Sequence, residues 1–510
     1  MTSFISFPWP SRHSTRGRVA ALAACVALAG CTTVGPDFQP PAVTAPADWN
    51  DWRSGDAALR IAQAQAQAHE ASELEARWWT ALGDAHLDRL EAEALAASPD
   101  LASAALRFAQ ARLQRDNVQA QGGPRVGLNA AATRQRSSEF DPGTRMADVL
   151  GGGNREQLVS ALSRPMSLYQ VGFDAAWEPD FWGRVRRSVE AADADVAQQA
   201  ALLDLARLAL VSEVARHYVE LRTTQRHLAL LQEDEKALGE RMDILADKVR
   251  RGALSDFDLQ RQRTELQALQ AQRAPLLAQE AASIGQLGVL LGQPPGTLRA
   301  QLVQQQWVPY ATLPDLRLGL PSELAMRRPD IRSAQAQLHR ATAHIGVAQA
   351  ALYPSIRLGA RVGTLSYQGS EFGSWGSRMW SIGPSLDLPL FDRGQRQRTV
   401  QLRELQQQEA AIQFQKTVLQ AWQEIDDALN RYAAEQLRGV DLAARVATTE
   451  DALQLAHARY RRGATDYLAV IDAQRSQVQA RRDLVSSQGA QWLQFVRVNK
   501  ALGNVDVAAP

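Results

Sequence analysis

Apolar and polar residues alternate with period two in four stretches of the 510-residue chain. Val126, Leu128, Ala130 and Ala132 alternate with Arg125, Gly127, Asn129 and Ala131. Tyr169, Val171, Phe173, Ala175 and Trp177 alternate with Gln170, Gly172, Asp174 and Ala176. Further on, Ile356, Leu358, Ala360 and Val362 alternate with Arg357, Gly359, Arg361 and Gly363, and Trp380, Ile382, Pro384, Leu386 and Leu388 alternate with Ser381, Gly383, Ser385 and Asp387. The pattern predicts strands at about 124–134, 167–178, 354–364 and 379–390. Each run is about ten residues, the length of a tilted strand crossing hydrocarbon, with one apolar face and one polar or very small face. Tyr367, Phe372, Trp375 and Trp380 gather near the last pair of strands, as aromatic residues do at a membrane–water interface. A soluble antiparallel sheet with one wet face would show the same alternation.

The strand pairs are followed by a different period. From Val185 to Val249 there is no proline and one glycine, Gly239, which predicts a helix of about 100 Å at 1.5 Å per residue. Leu208, Val211, Ala215, Tyr218 and Leu221 fall on one face, as in a coiled-coil seam, and the other faces are rich in Ala, Gln and Arg. The same design runs from Val400 to Tyr460. Each rod turns at an Arg-Arg-Gly, residues 250–252 or 461–463, and returns to Leu291 or Leu502. A coiled-coil spacer would account for the rods but not for the amphipathic strands.

The chain repeats itself. Pro99-Asp100-Leu101 recurs as Pro329-Asp330-Ile331 and Pro124-Arg125-Val126 as Pro354-Ser355-Ile356, both offset by 230. The offset then becomes 211 and holds: Gly172 matches Gly383, Gly183 matches Gly394, Arg187 matches Arg398, and Glu213 matches Glu424. Arg251-Gly252-Ala253 matches Arg462-Gly463-Ala464, and Leu291-Gly292 matches Leu502-Gly503. Copy one therefore carries 19 more residues between Pro124 and Gly172. That insertion holds Gly143 and Gly151-Gly152-Gly153 with no Gly-Lys-Ser/Thr after them, so a surface loop joining two strands fits better than a phosphate cradle.

The N-terminus adds a destination. Arg12, Arg16 and Arg18 flank an apolar run, Val19 to Ala29, too short to span a bilayer. It ends in Leu28-Ala29-Gly30-Cys31, the pattern of a lipoprotein signal whose cysteine takes a diacylglycerol on sulfur and an acyl group on the freed amine. The other cysteine, Cys25, lies inside the signal, so the mature chain would hold no disulfide and no thiolate metal site. Thr32 follows the cysteine where an inner-membrane lipoprotein typically has Asp, which directs the chain to the outer membrane. Balanced charge, 56 basic against 55 acidic residues, argues against a nucleic-acid partner. The histidines form no His-x-x-x-His or His-Glu-x-x-His pair, no Ser elbow is present, and no free Cys nucleophile survives lipidation, so no enzyme and no cofactor is expected.

Four strands cannot close a membrane barrel, since the smallest use about eight. An open edge in lipid leaves backbone groups unpaired, so subunits must pool their strands. Three subunits give twelve strands and six helical hairpins, whose ring would enclose a tunnel.

The lipobox followed by Val34-Gly35-Pro36-Asp37-Phe38, the run Tyr460-Arg461-Arg462-Gly463-Ala464-Thr465-Asp466-Tyr467-Leu468, and Val470-Ile471-Asp472-Ala473-Gln474-Arg475 together resemble outer-membrane factor lipoproteins. These are the TolC-like exit ducts (the OprM/NodT group) of resistance-nodulation-division efflux pumps. The resemblance covers nearly the whole mature chain. It implies an α+β membrane protein: a homotrimeric twelve-stranded β-barrel in the outer membrane of a Gram-negative bacterium, continued by a periplasmic α-helical barrel with a mixed equatorial belt near Glu73–Ala97, Gln293–Pro321 and the C-terminus. The implied partners are a periplasmic adaptor protein, an inner-membrane pump and outer-membrane lipid. The implied periplasmic gate is Leu468 and Asp472, with Tyr460 and Arg475 as polar links. The adaptor-docking tips are Arg251, Gly252, Ser255 and Asp256 in copy one and Arg462, Gly463 and Asp466 in copy two. The chain thus divides into a signal (1–30), an anchored segment (31–72), a first repeat (73–292, tip 250–256), a linker (293–321), a second repeat (322–503, tip 461–466) and a tail (504–510). A duct for protein secretion and a coiled-coil lipoprotein without a pore are the other readings, and the lipobox favours small-molecule efflux over the former. Drugs, solvents and metal ions all remain open as cargo.

Overall fold

A computed structural model describes residues 33–42, 53–59, 77–142, 155–252, 255–303, 313, 316 and 327–504. Cys31, the tip residues 253–254 and most of the 293–321 linker lie outside the described residues. The chain divides into two compact units, residues 1–39, 112–195 and 338–409 forming one and residues 40–111, 196–337 and 410–510 the other. Among the described residues no helix is long and apolar enough to cross a membrane.

The first unit holds the sheet. Strands β1 (Arg125–Gln135), β2 (Met166–Trp177), β3 (Ser355–Ser366) and β4 (Arg378–Asp387) pair antiparallel in the order β1-β2-β3-β4. The central β2–β3 pair joins the two copies, with Phe173 opposite Val362 and Asp174 opposite Arg361. Period-two alternation separates the faces. Val126, Leu128, Phe173, Val362, Trp380, Ile382 and Leu386 are exposed on one of them. On the other, Asn129 and Arg361 both donate to the Asp174 carboxylate, and Arg357 Nε donates to Glu178 Oε2 at 3.2 Å. A soluble sheet would bury its apolar face; this chain leaves it bare. β4 stops at Asp387, three residues short of the expected end, because Pro389 cannot supply a ladder N–H. The copy-one insertion between β1 and β2 is not loop throughout, since it contains the helix α3 (Arg155–Leu162).

The helix that leads directly into the strands is α2 (Pro99–Ala120) in copy one and α8 (Pro329–Ala350) in copy two, both 22 residues long. After the strands come α4 (Arg184–Arg250) and α9 (Gln395–Arg461), both 67 residues. The equal lengths follow the constant 211 offset. The return arms break the symmetry. Copy two returns as a continuous 35-residue helix, α10 (Leu468–Leu502). Copy one returns as α5 (Asp256–Ala271) and α6 (Arg273–Leu290), interrupted at Gln272. Pro275 is the cause: it has no N–H for the carbonyl of Ala271, and its ring would strike that carbonyl if the helix ran through. In the first turn of a new helix the same proline is tolerated.

The second unit has a core drawn from several stretches distant in sequence. Trp78 and Trp79 precede α1 (Ala85–Ala97), which contributes Leu87 and Leu90; α4 adds Val214, Tyr218 and Leu221. Leu287 and Leu291 meet Leu298 and Leu302 of α7 (Pro295–Val303), while Trp422, Ile425 and Tyr432 of α9 face Trp492 and Phe495 of α10. Arg328 closes this belt from the polar side. Its guanidinium donates to the carbonyl of Ala501 and to Glu424, each at 2.7 Å, and to both oxygens of Asp330.

Candidate functional site: the helix tips

Within the second unit α4 turns into α5 and α9 into α10. Both turns use the same device. Gly252 (φ +71°) and Gly463 (φ +73°) take the left-handed conformation that ends a helix, which a side chain would oppose. A Cβ on either would meet nothing within 4 Å, so the glycines are set by backbone conformation and not by crowding. Beyond the turns, Ser255 Oγ accepts from the Phe257 amide at 3.1 Å and Asp466 Oδ1 from the Ala469 amide at 3.3 Å, starting α5 and α10. Asp247 pairs with Arg250 at 3.0 Å and Arg251 at 2.7 Å, closing α4 with a compact charge cluster.

Under the turns lies a second, small core. Leu245 of α4, Leu259 of α5, Leu453 of α9, and Tyr467, Val470 and Ile471 at the start of α10 bury one another. The two tips are therefore welded by apolar contact as well as by polar links. Tyr460 meets Tyr467 edge to face, ring centroids 5.1 Å apart, and Lys248 Nζ stands 5.2 Å from the Tyr460 ring. Arg241 of α4 donates to Gln474 of α10. Burial pushes the Tyr467 hydroxyl pKa up against the opposing pull of Arg241. His457 is held below its ordinary value by burial first, then by Arg241 and Arg461.

The residues expected at the gate fall into different environments. Leu468, the first residue of α10, is half-buried. Asp472 is exposed one turn on; its main-chain carbonyl accepts from Ser476 Oγ at 3.0 Å, while its carboxylate has no partner among the described residues. Arg475 is occupied by an ion pair with Glu265 of α5, which ties the copy-one return arm to the copy-two return arm within one chain. Arg251, Gly252, Ser255, Asp256, Arg462, Gly463 and Asp466 are exposed at or beside the two turns. Glu265, Arg241, Gln474 and Leu259 were not anticipated. The 211 register offered a signal for Leu259, since it matches Val470, and both are buried in the tip core.

The sequence model of the outer membrane efflux protein family matches residues 90–293 and again 320–504. The chain is 31% identical to the outer membrane protein OprJ of Pseudomonas aeruginosa over 497 residues, covering 95% of each. It is 31% identical to the toluene efflux pump outer membrane protein TtgI of Pseudomonas putida, covering 94% of this chain and 96% of that one. Among solved structures, the outer-membrane channel OprN superposes with a TM-score of 0.80 at 29% identity, covering 93% of this chain and 99% of that one. The fold is that of the TolC-like channels.

Proposed function

The chain belongs to the outer membrane efflux protein family and is an outer-membrane efflux channel with a periplasmic helical extension; from that premise we propose that three copies form the duct and that the helix tips are its gate. The observation that carries the reading is the sheet. Its outer face is apolar and bare, and among the described residues its edge strands β1 and β4 have no partner. In hydrocarbon each unpaired backbone group costs several kcal/mol, so β4 of one copy must pair with β1 of the next.

The repeat supplies independent support. At the 230 offset, Leu106 and Leu113 of α2 correspond to Ala336 and Ala343 of α8. The alanines are buried, whereas Leu106 and Leu113 are 64% and 66% exposed. Helix α9 likewise leaves Leu402, Leu405, Ile412 and Leu419 bare along one stripe. An α2 face left open and an α9 stripe left open are the halves of a contact between copies, as α8 already buries the equivalent face within the chain.

At the tips, Leu468 and Asp472 narrow the tunnel, and three symmetry-related Asp472 carboxylates hydrate the constriction and draw cations to it. The Arg475–Glu265 pair, the Arg241–Gln474 bond and the Tyr460–Tyr467 contact hold the arms closed. The exposed turns around Gly252 and Gly463 dock a periplasmic adaptor, which links the duct to an inner-membrane pump of the resistance-nodulation-division type. Cys31 carries the lipid anchor, and small molecules are the cargo. Native mass measurement of the detergent-extracted protein should give three chains; a monomer or dimer overturns the duct. Cys31→Ser should abolish palmitate labelling and leave the trimer assembled, and labelling that persists removes the anchor assignment.

A further inference from the structure

One side chain of the sheet-bearing unit is used in a way that neither the barrel nor the gate requires. Arg187, in the first turn of α4, has only 5% of its side chain exposed. Its guanidinium is spent almost entirely on the segment just after Cys31. Nε donates to the carbonyl of Val34 at 3.1 Å, and Nη2 to the carbonyl of Gly35 at 3.1 Å and to Asp37 Oδ1 at 2.7 Å. Nη1 donates to Glu190 Oε2 at 2.7 Å.

The rest of the segment fits the same seat. The Val34 amide donates to the carbonyl of Trp182 at 3.2 Å. The Phe38 ring stacks on His339, centroids 4.3 Å apart and planes 14° apart, and His339 Nε2 lies 3.0 Å from Glu190 Oε1. Gly35 (φ +98°) presses against Gly346: a Cβ on Gly35 would fall 2.4 Å from Gly346 Cα, and a Cβ on Gly346 would fall 2.8 Å from Arg187 Cγ. A Cβ on Gly183 would fall 2.5 Å from Thr33 Cγ2, so the seat is built from copy one (Gly183, Arg187, Glu190) and copy two (His339, Gly346) together. The repeat makes it singular. Arg398 occupies the place of Arg187 in copy two, yet it is exposed and its guanidinium makes no hydrogen bond among the described residues.

We propose that Thr33–Phe38 is a latch which, seated on Arg187, holds the acylated N-terminus at the junction where strands give way to helices, and which can close only once the two copies have come together. The latch rests on the lipid reading of Cys31 for its purpose but not for its existence. The two residue steps of chain between Thr33 and Cys31 reach about 7 Å at most, so a seated latch fixes where the acyl chains enter the membrane. An anchor on an unconstrained linker would need no buried guanidinium fork and no paired glycines. Arginine suits this role because its planar fork reaches four separate acceptors here in fixed directions, more than the three protons of a lysine ammonium could serve.

The test is hydrogen exchange at the Val34 amide in the full-length protein, read beside palmitate labelling. The wild-type amide should be protected, and Arg187→Gln or Gly346→Ala should raise its exchange by about two orders of magnitude while palmitate still labels Cys31. Asp37→Asn, at an exposed carboxylate whose loss cannot unfold the chain, should raise it by about threefold to tenfold. Cys31→Ser should stay protected. If Arg187→Gln and Asp37→Asn leave exchange at the wild-type level, the latch is wrong whatever the lipid does. If Cys31→Ser protein still takes label while Arg187→Gln exposes the amide, the anchor assignment falls and the latch stands.

Discussion

Replacing Arg475 by Gln removes the guanidinium that pairs with Glu265 between the two return arms, and the consequence for gating can be worked through. The Arg475 side chain is 51% exposed and that of Glu265 20%. A pair of this partial exposure contributes about 1 kcal/mol, at the upper end of what surface pairs give and well below a buried one. If three subunits open together, the contributions add to about 3 kcal/mol, which shifts the closed-to-open ratio by a factor of about 10². The two single variants should differ. Arg475→Gln strands a mostly buried carboxylate, whereas Glu265→Gln strands a half-exposed guanidinium that water can rehydrate. Open probability in planar lipid bilayers should therefore rise more for Arg475→Gln than for Glu265→Gln. The double variant should open no further than Arg475→Gln alone, since both changes delete one interaction. Additive effects, or an Arg475→Gln channel that stays as closed as wild type, would refute the assignment of this pair as a closing link.

Three other outcomes follow from the same structure. Asp174 and Arg361 pair on the polar face of the sheet, so Arg361→Gln should leave an uncompensated carboxylate and turn the reversal potential toward cations at low salt, with Asp174→Asn turning it toward anions; equal selectivity in all three would place the charge filter elsewhere. Arg328→Gln should lower the stability of the belt by about 2–4 kcal/mol, read as the urea midpoint, because the Ala501 carbonyl and the Asp330 and Glu424 carboxylates lose one shared donor. The pKa of His457 is held below its ordinary value of 6.5, so its contribution is complete above pH 6.5 and is lost as pH falls through the lowered folded value. Tryptic cleavage at the tips should accordingly increase on acidification below pH 6.5 in wild type and less so in His457→Gln.

The strands and the long rods were legible because they are local. Period two and period 3.6 write themselves into a few consecutive residues, and the duplication repeats them at an offset of 230 up to the first strand of each copy and 211 from the second strand on. The break at Gln272 was not anticipated: Pro275 stands where copy two has Ser486, but the difference carries meaning only against the continuous α10. Family resemblance placed Leu468, Asp472 and Arg475 at a tip without saying what each would touch. Arg475 finds its partner 210 residues earlier, and Arg187 finds Val34, Gly35 and Asp37 about 150 residues earlier.

By itself, then, the sequence determined that this chain has two like halves, strands with one apolar face, and rods far longer than a globular core needs. Each of those is a property of neighbouring residues or of the repeat. Only the tertiary structure decided that the apolar strand face stays bare and the sheet edges open, that Glu265 and not a neighbouring helix residue answers Arg475, and that Arg187 differs from its counterpart Arg398. An exposed arginine and a buried one look alike in a sequence, because donor and acceptor are matched by the path of the backbone through space and not by their order along it.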